Sequence, residues 1–318
     1  MAMRIRIFKH ELMKKSFIIT LTALAALVMS CQKGNVNDVP ASDLAEVTFA
    51  IELPVAPATK TIGDGTTATE LYYAAFNQNG EYIKSLAQAD VIAISGKTAT
   101  VNVKLVRNYT YSFVFWAQAP DAPYEFDAET GVVTVDYEGD ANDETRDAFC
   151  KLHTFKVPDA ATFAENVTLT RPFAQINFGT SDFEQITELG LDMESTVVIA
   201  GLADTYNILS GAISGTATTE LDLAAVPAQL DPAEVLAVGG KNYGYVSMNY
   251  VLAPVEENQK IAKVTATFAY NDDEVEVAVD NVPFRRNYRT NIVGSFFTDN
   301  VTFTIVVDPA FDERDFEK

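Results

Sequence analysis

Apolar residues recur at every second position through most of this chain. Val47, Phe49, Ile51 and Leu53 form one such run, and "TATVNVKLV" (98–106), "NYTYSFVFWAQA" (108–119) and "GVVTVDY" (131–137) follow it. A two-residue period puts successive side chains on opposite faces of a pleated strand, so each run predicts a strand with one face buried. "ELYYAAFNQNGEYIKSL" (70–86) sets Asn79-Gly80 between two apolar runs, a short-range hairpin signal. The pattern resumes with "STVVIAGL" (195–202), "YNILSGAIS" (206–214), "NYGYVSMNYVLAP" (242–254), "KIAKVTATFAYNDDEVEVAV" (260–279) and "NYRTNIVGSFF" (287–297). In the closing segment "TDNVTFTIVVDP" (298–309), Val301, Phe303, Ile305 and Val307 alternate with Thr302, Thr304 and Val306. That strand is expected to complete its own sheet with alternate residues buried. Helical period is confined to Asn142–Phe149 and Ser181–Gly190, one to three turns each.

Many short alternating strands separated by turn signals indicate an all-β chain of antiparallel, Greek-key β-sandwiches. Residues 31–45, "CQKGNVNDVPASDLA", are polar and without period, and read as a flexible tether. The best domain boundary is the Pro/Asp/Ala connection near Ala164 to Asn166, giving sandwiches at 46–165 and 166–318, each of a size one core supports. "GTTATEL" at Gly65 and "GTATTEL" at Gly215 share five of seven residues but fall at different depths in the two domains, so they are not read as a repeat.

The first thirty residues stand apart. Lys14 and Lys15 precede a thirteen-residue apolar run, Phe17 to Met29, too short to span a membrane and typical of a signal peptide. The run ends in "VMSC", where Ser30 precedes Cys31 as in the cleavage and lipid-attachment site of a bacterial lipoprotein. Cys31 is the expected lipidation site and mature N-terminus, and its acyl chains the link to the outer membrane. The whole chain carries a net charge of −21; removing residues 1–30 leaves 18 basic against 43 acidic residues, or −25. Such a surface repels phosphate backbones, which excludes nucleic acid as a partner. With Cys31 acylated, Cys150 is the one remaining thiol and no intrachain disulfide can form.

Candidate chemistry is sparse. After residue 30 the chain holds one histidine, His153, so two-histidine metal motifs are out, and a Cys150–His153 nucleophile has nothing to depress the thiol pKa. "GDGTTA" (63–68) fits a dinucleotide-binding pattern formally but lacks a parallel strand-to-helix context. In "DYEGDANDETRD" (136–147), Asp136, Glu138, Asp140 and Asn142 fall at alternate positions like the start of a calcium loop, with the glycine misplaced and no glutamate at the twelfth position. Trp116, Tyr124 and Phe126 could make a sugar-stacking platform, whereas Phe113 and Phe115 share one strand face and read as core. No coherent set of acid, base and nucleophile emerges, so the chain is read as a non-enzyme without a cofactor.

Several blocks taken together resemble the fimbrillin-like lipoproteins of Bacteroides and relatives: "GDGTTATELYYAAF", "FVFWAQAP", "VDYEGDANDETRDAF", "LTRPFAQINFGTSD", "YNILSGAISG" and "FRRNYRTNIVGSFFTDNVTFTIVVDPAF". The resemblance implies two transthyretin-like β-sandwich domains, export to the cell surface, and a role as a structural or accessory subunit of a fimbria. Its implied partners are other fimbrial subunits or further copies of itself, joined by β-strand addition. Stalk subunits of that family are cut after a basic residue, usually arginine, in the loop following the first strand. Here that position falls to Lys60, and the residue type differs. The alternative role is a monomeric tethered lipoprotein that binds a glycan or a host protein. If Cys31 carries the anchor, Cys31→Ala moves the protein from the detergent phase to the aqueous phase in a partition assay; a mutant that stays with detergent sinks the assignment.

Overall fold

The computed structural model describes residues 40–54, 63–182, 195–223, 235–255, 259–270, 272–297 and 302–308. Cys31, Lys60 and the acidic residues beyond 308 lie outside these, as does most of the Ser181–Gly190 helical expectation. Strand dominates throughout. Asn142–Phe149 holds a single 3-10 turn, Glu144–Arg146, capped by the Asp143 side chain, before the chain re-enters a strand.

The tether ends earlier than its pattern suggests. β1 (Leu44–Glu52) already includes Ala45, which is fully buried. β1 is the middle strand of a three-stranded sheet, antiparallel to β4 (Thr98–Val106) and parallel to β9 (Thr162–Thr168). Its alternation is realised as expected: Ala45, Val47, Phe49 and Ile51 are buried in one cluster and Glu46 and Glu52 face water. The facing sheet runs β3 (Ile92–Ala93), β2 (Glu70–Asn77), β5 (Thr110–Gln118), β8 (Phe149–Lys156), all antiparallel. The Asn79-Gly80 turn forms, with Gly80 at φ 79°, but its second arm makes one bridge, Phe76 to Tyr82, before the 3-10 turn Lys84–Leu86.

β10 (Phe173–Thr180) opens the second sandwich between β16 (Lys241–Leu252), antiparallel, and β19 (Arg289–Ser295), parallel; β15 (Val235–Val238) and β20 (Thr302–Asp308) flank that sheet. Against it lies β14 (Ala217–Asp222), β11 (Thr196–Leu202), β17 (Lys260–Tyr270), β18 (Asp273–Pro283). The expected break at 165/166 therefore falls inside β9, which pairs with β1 along its length; the chain changes sandwich at Leu169–Pro172. The sheets are also not purely antiparallel, since each sandwich sets its first strand parallel to a late one.

Seven strands follow one plan twice. In the first sandwich β4-β1-β9 faces β3-β2-β5-β8; in the second β16-β10-β19 faces β14-β11-β17-β18, with the same chain order and the same parallel pair. "GTTATEL" leads into β2 and "GTATTEL" into β14, which hold different places in this plan, so the sequence match is no part of the structural repeat. Among the described residues, β15 and β20 have no counterpart in the first sandwich.

A small sheet joins the halves: β6 (Tyr124–Asp127) and β7 (Val132–Val135) pair with β12 (Thr205–Asn207) and β13 (Ile213–Ser214). Val133, Val135, Tyr206 and Ile208 share a cluster with Phe76, Val114 and Trp116 from the back of the first sandwich. The β2-β5-β8 sheet is thus covered on both faces, which is why "FVFWAQ" reads as a continuous apolar run.

β20 is docked differently. It pairs with β19 over its whole length, yet none of its residues is fully buried: Phe303 is 43% and Val307 38% exposed. The expected alternate burial is absent: among the described residues β20 is held by the main-chain ladder to β19 and by Ile305, which is partly buried against the core. A Cβ on Gly294 would come 1.9 Å from the Thr302 carbonyl oxygen and 2.8 Å from Phe303 Cα, so only glycine admits β20 at this distance. Gly294→Ala is expected to loosen β20 and raise chymotryptic cleavage at Phe303 at least ~10-fold, the change that about 1.4 kcal/mol in local opening produces. Unchanged cleavage would show that the close approach at Gly294 does not hold the strand.

Candidate functional site

Two features carry the functional reading: a polar junction between the sandwiches, and the exposed terminal strand. The junction begins with the loop singled out as a calcium candidate. Asp136, Glu138, Asp140 and Asn142 do not converge on a common point. The Asp136 and Glu138 carbonyls accept hydrogen bonds from the Arg146 guanidinium, at 2.9 Å (Nη1) and 2.6 Å (Nη2), while its Nε lies 3.4 Å from Asp143 Oδ2. A tethered guanidinium, only 4% exposed, sits where a loop cation would. Asp140 bridges to Asp222, and Asn142, at φ 64°, exchanges hydrogen bonds with the Met248 main chain (2.9 and 2.8 Å). The loop is a strut from β7 to the second sandwich, beside an open cavity of about 360 Å³ rimmed by Glu138, Asp140, Asp143 and Arg146. Among the described residues no group of three His, Cys, Asp or Glu side chains is placed to hold a metal.

Arg171, in the link between the sandwiches, donates to both Asp147 oxygens (Nε–Oδ1 2.6 Å, Nη2–Oδ2 3.0 Å) with both side chains 1% exposed. Its Nη2 also donates to the Gly63 carbonyl, and its Cζ lies 4.6 Å over the Phe149 ring. The Gly63 N–H donates to Glu144 Oε2 at 2.8 Å, and the buried Tyr250 hydroxyl reaches Glu144 Oε1 at 3.4 Å. Burial, then the nearby charge of Asp147, pushes the Glu144 carboxyl up to about 8, against the Gly63 hydrogen bond and the guanidinium charges of Arg289 and Arg171. The chain entering at Gly63 is therefore clamped through both its main-chain polar groups. Sequence reading missed this cluster; Arg146, a basic residue inside the acid-rich block 136–147, was the available signal, and Arg171 stands outside that block.

Cys150 and His153 do not meet. Cys150 joins the inter-sandwich cluster and its thiol is pushed up to about 11 by burial, with Arg286 and a hydrogen bond from Tyr206 pulling the other way. His153, three residues on, turns to the other face, edge-on to Phe49 and stacked on Phe155, 3.8 Å from Glu165; burial holds its pKa below the ordinary value despite that carboxylate. The aromatic candidates are not a platform either. Trp116 is fully buried, donates to Gln118 Oε1 at 2.6 Å and meets Tyr124 edge-on at 5.4 Å; the Tyr124 hydroxyl donates to the Arg146 carbonyl; Phe126 packs on Tyr72. Phe113 and Phe115 lie in the first core as expected.

A model of a family described as a family of unknown function (DUF6562) matches residues 40–318. No curated protein matches the sequence. Among solved structures the chain is similar to a candidate polysaccharide-binding protein (DUF1812) from Bacteroides thetaiotaomicron, at 12% identity over 84% of this chain and 96% of that one, TM-score 0.49. It is similar to a fimbrial assembly protein from Parabacteroides distasonis, at 13% identity over 84% and 99%, TM-score 0.46. It is also similar to the fimbrial anchor protein Mfa2 from Porphyromonas gingivalis, at 12% identity over 83% and 97%, TM-score 0.45.

The junction makes a pH-dependent contribution whose sign follows from Glu144. Its folded-state pKa, about 8, lies above the ordinary 4.5, so its contribution to stability is fully present below 4.5 and is lost as the pH rises through 8. Glu144→Gln keeps an acceptor for Gly63 and removes the titration. The variant should melt roughly 3–6 °C higher than the parent at pH 8 and alike at pH 4.5. Parallel melting curves across that range would show that the carboxyl is not buried in the proton-bound form.

Proposed function

The chain belongs to DUF6562, a family of unknown function, and we propose that it is a structural or accessory subunit of a cell-surface fimbria, anchored in the outer membrane through lipid on Cys31 and joined to neighbouring subunits by β-strand addition. The observation that carries this reading is β20. It is additional to the seven-strand plan, stays attached chiefly through the main chain, and presents Phe303 and Val307 to water. An exposed strand offers a row of main-chain donors and acceptors that a partner strand can satisfy, with pockets for alternate side chains supplying specificity.

The clamp at Gly63 supports the processing part of the reading. Lys60 lies between β1 and this clamp in the chain. A cut there would free β1 for release while Glu144 and Arg171 keep the chain from Gly63 onward in place. The loss of β1 would leave a groove lined by the residues that now cover Val47, Phe49 and Ile51. The alternative, a tethered glycan binder, loses its motive with the burial of Trp116 and the engagement of Tyr124 and Phe126.

The test takes protein from the cell surface. A ladder of multimers that survives unheated detergent, together with an N-terminus at Thr61 in the polymerised fraction, is the expected result for a processed stalk subunit; a ladder with an N-terminus at Cys31 assigns an anchor or accessory role. A single monomeric band with Cys31 at its N-terminus would sink the fimbrial reading.

A further inference from the structure

Each sheet edge in the described residues is either very short or charged, with one exception. β3 and β13 have two residues each and β15 has four. β4, β6, β8, β9, β14 and β18 carry charge, for example Lys104, Glu125, Lys151, Glu165, Glu220 and Glu274. These are the devices that keep sheet edges from pairing with other chains. β20 carries its one charge, Asp308, at its last residue: from Thr302 to Val307 it is uncharged, and among the described residues it pairs on one side only. Of the four large apolar residues that stand exposed among the described residues, Val91 and Val255 are isolated, whereas Phe303 and Val307 belong to this one strand.

Their spacing is self-complementary. Phe303 and Val307 lie two residues either side of Ile305. When two β20 strands pair antiparallel about Ile305, Phe303 of each copy stands opposite Val307 of the other, Thr304 opposite Val306, and Thr302 opposite Asp308. The two aromatic–β-branched pairs this creates are favourable cross-strand pairs, and no like charges meet within the seven residues. We infer that the outer edge of β20 is a homotypic docking edge, where two copies of the folded chain join about a two-fold axis into one continuous sheet. Such pairing needs no cleavage and no vacated groove. It goes beyond the fimbrial reading and does not depend on it. An interface of two seven-residue edges is small and of the transient class, and the acidic surface opposes it at low salt, so it forms at high protein concentration and screening ionic strength.

The test uses the full chain with Cys31→Ala, at about 100 µM in about 0.3 M NaCl, a salt level that screens surface charge. Sedimentation should show a dimer, and Phe303→Lys with Val307→Lys, two changes at exposed positions that oppose lysines across the axis, should weaken it at least ~10-fold. With Cys150→Ala added, Ile305→Cys should give a disulfide-linked dimer under mild oxidation, whereas Phe303→Cys, four residues out of register with itself, should not. A monomer at this concentration, or equal cross-linking at 303 and 305, overturns the inference. If a cysteine variant does not fold, the sedimentation of the Cys31→Ala chain and its lysine variant decides alone. A monomer accompanied by surface ladders removes the docking edge and leaves the fimbrial reading; a dimer without ladders does the reverse.

Discussion

Arg171 and Asp147 neutralise each other inside the protein, and the relation of the two sandwiches depends on that pair. Arg171 occupies the short link between β9 and β10; Asp147 ends the strut that rises from β7; Phe149, under the guanidinium, begins β8; Gly63, whose carbonyl Arg171 also binds, leads into β2. One side chain thus joins three stretches of the chain: its own link, the Asp147–Phe149 turn into β8, and the segment at Gly63. A buried pair of this kind is poor evidence of net stability, because desolvation offsets most of its Coulomb attraction, but removing one partner strands a charge and costs about 3–5 kcal/mol. Its contribution is geometric. With both carboxylate oxygens and the Gly63 carbonyl engaged, the link has little freedom to turn, and the small β6-β7-β12-β13 sheet is held in register between the halves.

This arrangement explains what could be seen in the sequence and what could not. β4, β5, β16 and the β17-β18 hairpin fall where local alternation or apolar runs place them. The boundary near Ala164 to Asn166 differs for another reason. That stretch is expected as a connection, but it is the strand β9, whose place is decided by a parallel pairing with β1 more than a hundred residues away, and local sequence carries no information about such partners. The calcium-like spacing gave no sign of the side chain that organises the loop: Arg146, outside that spacing, donates to the Asp136 and Glu138 carbonyls. The proposed role was suggested in the sequence only by the resemblance of several blocks taken together, since the exposure of β20 depends on its packing and leaves no mark on its alternation.

The structural repeat gives that exposure a meaning. Seven strands suffice for a closed sandwich, as the first half demonstrates, and there the edge equivalent to β19 is β9. β9 ends its sheet with Glu165 turned toward His153 and Phe163 stacked on Phe155 of the neighbouring β8, so its inner face is closed by side chains and its edge carries a charge. The second half meets the same need with an added strand, which moves the open edge outward from β19 to β20 and leaves it unblunted.

The two strands that could take part in exchange therefore differ in what holds them. β1 inserts Val47, Phe49 and Ile51 into a core at 0–1% exposure, and burial of three such side chains is worth on the order of 5–9 kcal/mol. On the proposed reading, its release takes both a cut and a replacement strand that refills the same pockets. β20 buries far less and rests on a ladder that any strand of suitable register can reproduce, with Gly294 permitting the approach. A chain built this way keeps its costly strand in a groove and its inexpensive one on the rim. On the two proposed readings, association through the rim needs only a partner, whereas association through the groove also needs an irreversible step, so the two modes would respond to different signals although both use the same hydrogen-bonding geometry.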